Sequence, residues 1–184
     1  MQRSRGQQRV AGFIYVALLR AVNVGGSGKL AMSDLKAICL AAGFSDVETY
    51  IASGNVVFRA TMRAAEVKVA LEERLRRHVG KPVNVAIRTA EELAAIVEAN
   101  PFKNASPSTT VVYFLAEPPP ADAVRHATGR QRERMHLGNR EIFVHYIDGI
   151  GRSKLTIPAT RDGTGRNMNT VARLAALAVK QKAG

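Results

Sequence analysis

A single cysteine, Cys39, among 184 residues rules out an internal disulfide, so the fold needs no oxidising compartment and the cytosol is the expected location. Tryptophan is absent and aromatic residues make up only 5% of the chain, which leaves few platforms for stacking nucleobases. No apolar run approaches the ~20 residues of a membrane span. The run from Val10 to Leu19, preceded by Arg3, Arg5 and Arg9, has the form of a short signal-peptide core or of a buried strand. The strand is favoured, because Arg20 closes the run and no small-x-small cleavage site follows. Acidic residues are scarce: 15 Asp and Glu stand against 27 Lys and Arg, a formal charge of +12 with a pI near 10.6. Such a charge attracts nucleic acid, anionic membranes or acidic small molecules without choosing among them. The four histidines, His78, His126, His136 and His145, lack metal-ligand spacing, and one cysteine cannot complete a zinc site, so no metal and no cofactor are expected.

What is present is enough aliphatic sequence for a core, 46% of residues being apolar. Residues 1–9 are polar, basic and aperiodic, and read as a disordered tail. Phe13 to Leu19 predicts a buried strand. Leu35, Ile38, Cys39 and Ala42 form a helical stripe closed by Gly43, which turns Cys39 toward the core. Val47–Ile51 and Asn55–Arg59 predict two strands joined by Ala52-Ser53-Gly54. A second helix carries Val67, Leu71, Leu75, His78 and Val79 on one stripe and stops at Gly80, before an alternating strand with Val83, Val85 and Ile87. The order is βαββαβ, the ferredoxin-like pattern with both helices on one face of a sheet.

Beyond it, Thr89 and Glu92 have the spacing of a capping box for a helix with Leu93, Ile96 and Val97, ending by Asn100-Pro101. A strand follows at Thr109–Leu115, then three prolines leading into a short helix near Ala121–Thr128. Arg130–Leu137 and Arg140–Ile147 predict a hairpin about Gly138-Asn139, and a last helix begins near Asn169 with Val171, Leu174, Ala175 and Ala178. The expected fold class is α+β, a ferredoxin-like first half with a related mixed α/β second half packed against it. Its segments are a tail at 1–9, a first subdomain at 10–88 and a second at 89–184.

The richest chemistry lies in Arg20-Ala21-Val22-Asn23-Val24-Gly25-Gly26-Ser27-Gly28-Lys29, a strand-ending loop of three glycines between two cations. Backbone free to turn beside fixed positive charge suits a phosphate or carboxylate. A Walker A motif fails here, since Asn23 holds the first glycine position and Leu30 the hydroxyl position. The dinucleotide pattern is formally met by Gly26, Gly28 and Ala31, but two adjacent strands follow where a crossover helix should stand. The loop is longer than a plain connector requires, which favours a ligand. A second polar cluster comprises Arg152, Ser153 and Lys154 with Arg166, Asn167 and Asn169, where Asn167 or Asn169 can cap the last helix. Ser53-Gly54 lacks a nucleophile elbow, and no catalytic triad can be assigned from residue order. Arg130, Arg132 and Arg134 alternate along one predicted strand face, a stripe able to meet phosphates or simply to be solvated.

Four separated motifs carry a family resemblance. They are Ala17-Leu18-Leu19-Arg20-Ala21-Val22-Asn23-Val24-Gly25-Gly26 with Lys29-Leu30 and Met32; Thr49-Tyr50-Ile51-Ala52-Ser53-Gly54-Asn55-Val56-Val57-Phe58; Val144-His145-Tyr146 with Asp148 to Leu155; and Arg166 to Val171. Together they resemble domain-of-unknown-function family 1697 over about residues 12 to 180. The resemblance implies a small bacterial cytosolic α+β protein of ferredoxin-like subdomains and brings no established activity. The expectation is one polar pocket for a phosphorylated small molecule or nucleotide. Arg20, Asn23, Gly25, Gly26, Lys29, Ser53, Asn55, Arg152, Ser153, Lys154, Arg166, Asn167 and Asn169 would converge on it, with Lys154 or Ser53 the first candidates for any chemistry. The rival is a non-enzymatic nucleic-acid-binding protein using the Arg130, Arg132, Arg134 stripe.

Overall fold

The computed structural model describes residues 12–23 and 29–184, so the expected tail at 1–9 lies outside the described residues. The apolar run is strand β1 (Phe13–Leu19), buried on both faces, and this explains why it has no polar alternation. After it come α1 (Met32–Ala41), β2 (Ser45–Tyr50), β3 (Asn55–Ala60), α2 (Ala64–Val79) and β4 (Val85–Thr89), in the predicted βαββαβ order. They form an antiparallel sheet of order β2-β3-β1-β4, with β1 at its interior. Gly43 and Gly80 close α1 and α2 in the left-handed conformation, as their positions suggest.

Helix α3 (Ala90–Glu98) follows β4 directly. Strands β5 (Thr110–Phe114), β6 (Arg134–Leu137), β7 (Glu141–His145) and β8 (Thr164–Asn167) then build a second antiparallel sheet, of order β6-β7-β5-β8, and α4 (Met168–Ala183) ends the chain. The two sheets correspond strand for strand. Register places Val16 between Val57 and Arg88 in the first, and Val112 between Phe143 and Arg166 in the second. In the second half, irregular chain occupies the places of α1 and α2. The short helix expected at 121–128 is a series of turns, held mostly by i to i−3 bonds such as Ala123 N–H to Pro120 O and Arg125 N–H to Asp122 O. Strand β8 lies in the second polar cluster, where the sequence predicts no strand. Gly165 suits it to an edge where a side chain has no room, since a Cβ there would stand 3.0 Å from the Tyr113 ring.

Three layers of apolar packing result. Helices α1 and α2 set Leu35, Cys39, Leu71 and Leu75 against Tyr15, Ala17 and Phe58 on one face of the first sheet. His78, expected on the α2 stripe, is exposed beside Asp34. The opposite face (Ile14, Val16, Leu18, Val57) packs with α3, α4 and the inner face of the second sheet through Leu93, Val171, Leu174, Val112 and Phe143. The outer face of the second sheet, with Val111, Ile142 and Val144, is covered by Ala123, Leu155 and Ile157. The edge of β4 is blunted by its own neighbours: Glu72 and Glu92 accept from the Val85 and Thr89 amides, and Arg88 donates to the Ile87 carbonyl. No helix among the described residues is long and apolar enough to cross a membrane.

Burial pushes the Cys39 thiol up to about 12, leaving almost no thiolate at neutral pH. Cys39 is therefore expected to resist a maleimide in the native protein and to react stoichiometrically in guanidinium. Complete native labelling within minutes would show that α1 opens readily.

Candidate functional site

Each half launches a helix in the same way. Arginine is the penultimate residue of a strand, and the last residue caps: Thr89 Oγ1 accepts from the Glu92 amide at 3.1 Å, and Asn167 Oδ1 accepts from the Thr170 amide at 3.0 Å. Glu92 returns a bond to the Thr89 amide, completing the predicted capping box. The arginine in front of each cap crosses to the opposite half. Arg88 donates to Glu141 Oε1 (3.0 Å), Leu115 O (2.9 Å) and Arg140 O (3.0 Å). Arg166 donates to Asn55 Oδ1 (2.6 Å), Leu19 O (2.8 Å), Ser53 O (2.7 Å) and Gly54 O (3.5 Å). The acceptors are equivalent, because Asn55 faces Leu18 in the first sheet as Glu141 faces Phe114 in the second.

One difference separates the two latches. Arg88 meets a buried carboxylate, whereas Arg166 meets only neutral oxygens. Burial lowers both guanidinium pKa values, against the opposing pull of Glu141 for Arg88, and Arg166 falls to about 10. Arg166 is thus a part-buried cation at pH 7 with no carboxylate on it among the described residues.

The Arg166 latch lies under two turns with unusual backbone. Ala21, Asn23 and Ile51 have φ of 50°, 59° and 49°, three of the four non-glycine residues of positive φ in the described chain. For β-branched Ile51 this is a strained conformation. Gly54 has φ of 81°, and a Cβ there would come within 2.5 Å of Val22 Cγ2, so that turn needs glycine. Asn23 clips the ends of the loop together, donating to Leu30 O (2.9 Å) and Ala52 O (2.8 Å) and accepting from the Leu30 amide (2.7 Å). Asn55 Nδ2 donates to Tyr50 O and Ser53 Oγ, both at 2.9 Å. Asn23, Ser53, Asn55 and Arg166 therefore converge as expected, but their polar atoms are largely spent on one another. They shape the loop; Gly25 and Gly26 lie outside the described residues.

Around this frame the cations face outward. Arg20 lines a cavity of about 310 Å³ with Val22, Val79, Lys81, Pro82 and Asn84, and its amide donates to Asn84 O at 2.9 Å. Lys29 is exposed at the far end of the loop. Among the described residues none of Arg20, Lys29 and Lys81 has a carboxylate partner, and no carboxylate lines the cavity.

The other motif group does not reach this place. Ser153 donates to Glu133 and accepts from the Leu155 amide, on the outer face of the second sheet where the Tyr113 and Tyr146 hydroxyls meet at 2.7 Å. Arg166 pairs with Val112, whose side chain is on the inner face. The sheet separates Arg152, Ser153 and Lys154 from the Arg166 group, which corrects the expectation of a single pocket. The space among Glu133, Tyr146, Arg152 and Ser153 is about 10 Å³, enough for one water at most. The Ser153 hydroxyl and the Gln131 amide hold the Glu133 carboxyl below its usual range, making it a poor base. Lys154 and Asn169 are exposed, and Asn167 is occupied as a cap.

The expected arginine stripe is not formed either. Only Arg134 lies in β6: Arg130 donates to Glu133 O, Arg132 pairs with Asp148 at 2.9 Å, and Arg134 lies over the Phe102 ring. The sequence reading missed Lys81, Arg88, Arg140 and Glu141. The recurring signal was an arginine directly before a helix cap, Arg88-Thr89 and Arg166-Asn167, each leading into an apolar helix.

The solved structure of the conserved bacterial protein SP0830 from Streptococcus pneumoniae is similar to this chain. It has 23% identity, covers 91% of this chain and 99% of its own, and superposes with a TM-score of 0.75, a likeness that establishes the fold. No curated protein matches. The family model described as "Protein of unknown function (DUF1697)" matches residues 14–143, well over half of the sequence, and the chain belongs to that family.

Proposed function

We propose that this protein binds a small phosphorylated anion at the mouth of the Arg20–Lys29 loop. One observation carries the reading: the two ends of a duplicated framework differ in charge. In the second half each cation at the junction has a carboxylate, Arg88 with Glu141 and Arg140 with Glu92 at 2.7 Å. At the matching end of the first half, Arg166 is held by neutral groups while Arg20, Lys29 and Lys81 have no partner among the described residues. A part-buried positive charge adds to the local field, and unpaired cations at a cavity rim can answer an anion without first breaking ion pairs. Arg152, Ser153 and Lys154 have no part in this reading.

Melting the protein against inorganic phosphate, with chloride controls of equal ionic strength, tests it. Phosphate at 100 times its dissociation constant is expected to raise the melting temperature by roughly 5 to 10 °C. Arg20→Gln or Lys81→Gln should abolish that rise while leaving the ligand-free melting temperature nearly unchanged. A rise that survives both substitutions rejects the site. Stabilisation by polynucleotides alone, vanishing with added salt, would replace the reading with diffuse electrostatic binding.

A further inference from the structure

We infer that the ligand of the Arg20–Lys81 cavity is a phosphate monoester with a hydroxylated, non-aromatic body, bound without a divalent metal ion; this rests on the anion-site reading above. The cavity, about 310 Å³, is at the small end for ligand sites. Its two lining cations, Arg20 and Lys81, match the charge of a monoester, which is near −2 at neutral pH. A triphosphate normally arrives with magnesium, which is held through carboxylates. Among the described residues the cavity lining has none.

The walls choose the body of the ligand. Val22, Val79, Pro82 and Val83 are aliphatic, and among the described residues no aromatic ring lines the cavity to stack a nucleobase. Aliphatic walls suit the C–H faces of a sugar or polyol. Asn84 is exposed at the rim, its carbonyl oxygen taken by the Arg20 amide and its side-chain amide without a partner among the described residues. That amide offers one acceptor and two donor hydrogens to ligand hydroxyls. Helix α2 ends at Val79 beside the cavity, and its carbonyl end would by itself repel an anion. Arg76 in its last turn and Lys81 just beyond reverse the local sign.

Titration calorimetry in EDTA with glucose 6-phosphate, adenosine monophosphate and inorganic phosphate, and with magnesium-ATP in EDTA-free buffer, tests the assignment. Glucose 6-phosphate is expected to bind at least about tenfold tighter than adenosine monophosphate, with no loss in EDTA. Asn84→Ala should weaken it by about fivefold, one hydrogen bond's worth, without changing the affinity for inorganic phosphate. Lys81→Gln should weaken both. Equal or tighter binding of adenosine monophosphate, or binding only with magnesium, overturns the inference while the anion site stands. If inorganic phosphate and every ester fail to bind, the anion site and the inference fall together.

Discussion

Arg166→Met is expected to lower the melting temperature by about 10 °C, the largest loss from any single side chain at the Arg20–Lys29 end. The guanidinium satisfies Asn55 Oδ1 and the carbonyls of Leu19, Ser53, Gly54 and Gly165. Methionine fills much of the volume but removes the donor from Asn55 Oδ1 and from the Leu19 and Ser53 carbonyls, each at about 1 kcal/mol or more, for a total near 4 kcal/mol, while Gly54 O keeps the Leu19 amide. At roughly 2 to 4 °C per kcal/mol for a chain of this size, the shift is plain in a melting curve. Lysine keeps the charge but not the planar fork, so Arg166→Lys should recover only part of the loss. A melting temperature within 2 °C of the parent for Arg166→Met would mean that water replaces the guanidinium and that the two halves do not depend on this latch.

The Arg88–Glu141 pair makes a complementary prediction with a different signature. Arg88 is 2% exposed and Glu141 4%, their side chains 3.0 Å apart. Removing one partner strands a buried charge, so Arg88→Met or Glu141→Leu alone is expected to cost about 3 to 5 kcal/mol, a fall of about 10 °C. The double variant should be less destabilised than either single one, since no buried charge remains. It should not return to the parent level, because Arg88 also serves Leu115 O and Arg140 O. A double-mutant cycle reads the coupling directly, and simple additivity would show that the carboxylate does not hold the arginine. Added salt should change little, since screening acts weakly on a buried pair.

These latches also show where reading a sequence stops. The order of the first six elements, the left-handed closures at Gly43 and Gly80, the capping box at Thr89 and Glu92, and the burial of Cys39 were all legible. Each depends on residues within a few positions of one another, where periodicity and capping act. Strand β8 was not legible, because Thr164-Gly165-Arg166-Asn167 has neither apolar alternation nor branched side chains. It is a strand because β5 offers it a ladder and Gly165, with no side chain, leaves room for the Tyr113 ring. Of the expected site, Asn23, Ser53, Asn55 and Arg166 do come together, while Arg152 and Ser153 fall on the far side of a sheet that no local pattern could have interposed.

The sequence by itself determined the family, the α+β class, the strand that would be buried and the loop in which glycine and cations coincide. Tertiary structure decided how those cations are used. Two arginines in the same local context, one residue ahead of a helix cap, differ because chain folded from the other half brings a carboxylate to Arg88 and an amide to Arg166. Charge compensation is a property of pairs of atoms a few ångströms apart, and for partners 53 and 111 residues apart along the chain only the packed fold sets that distance.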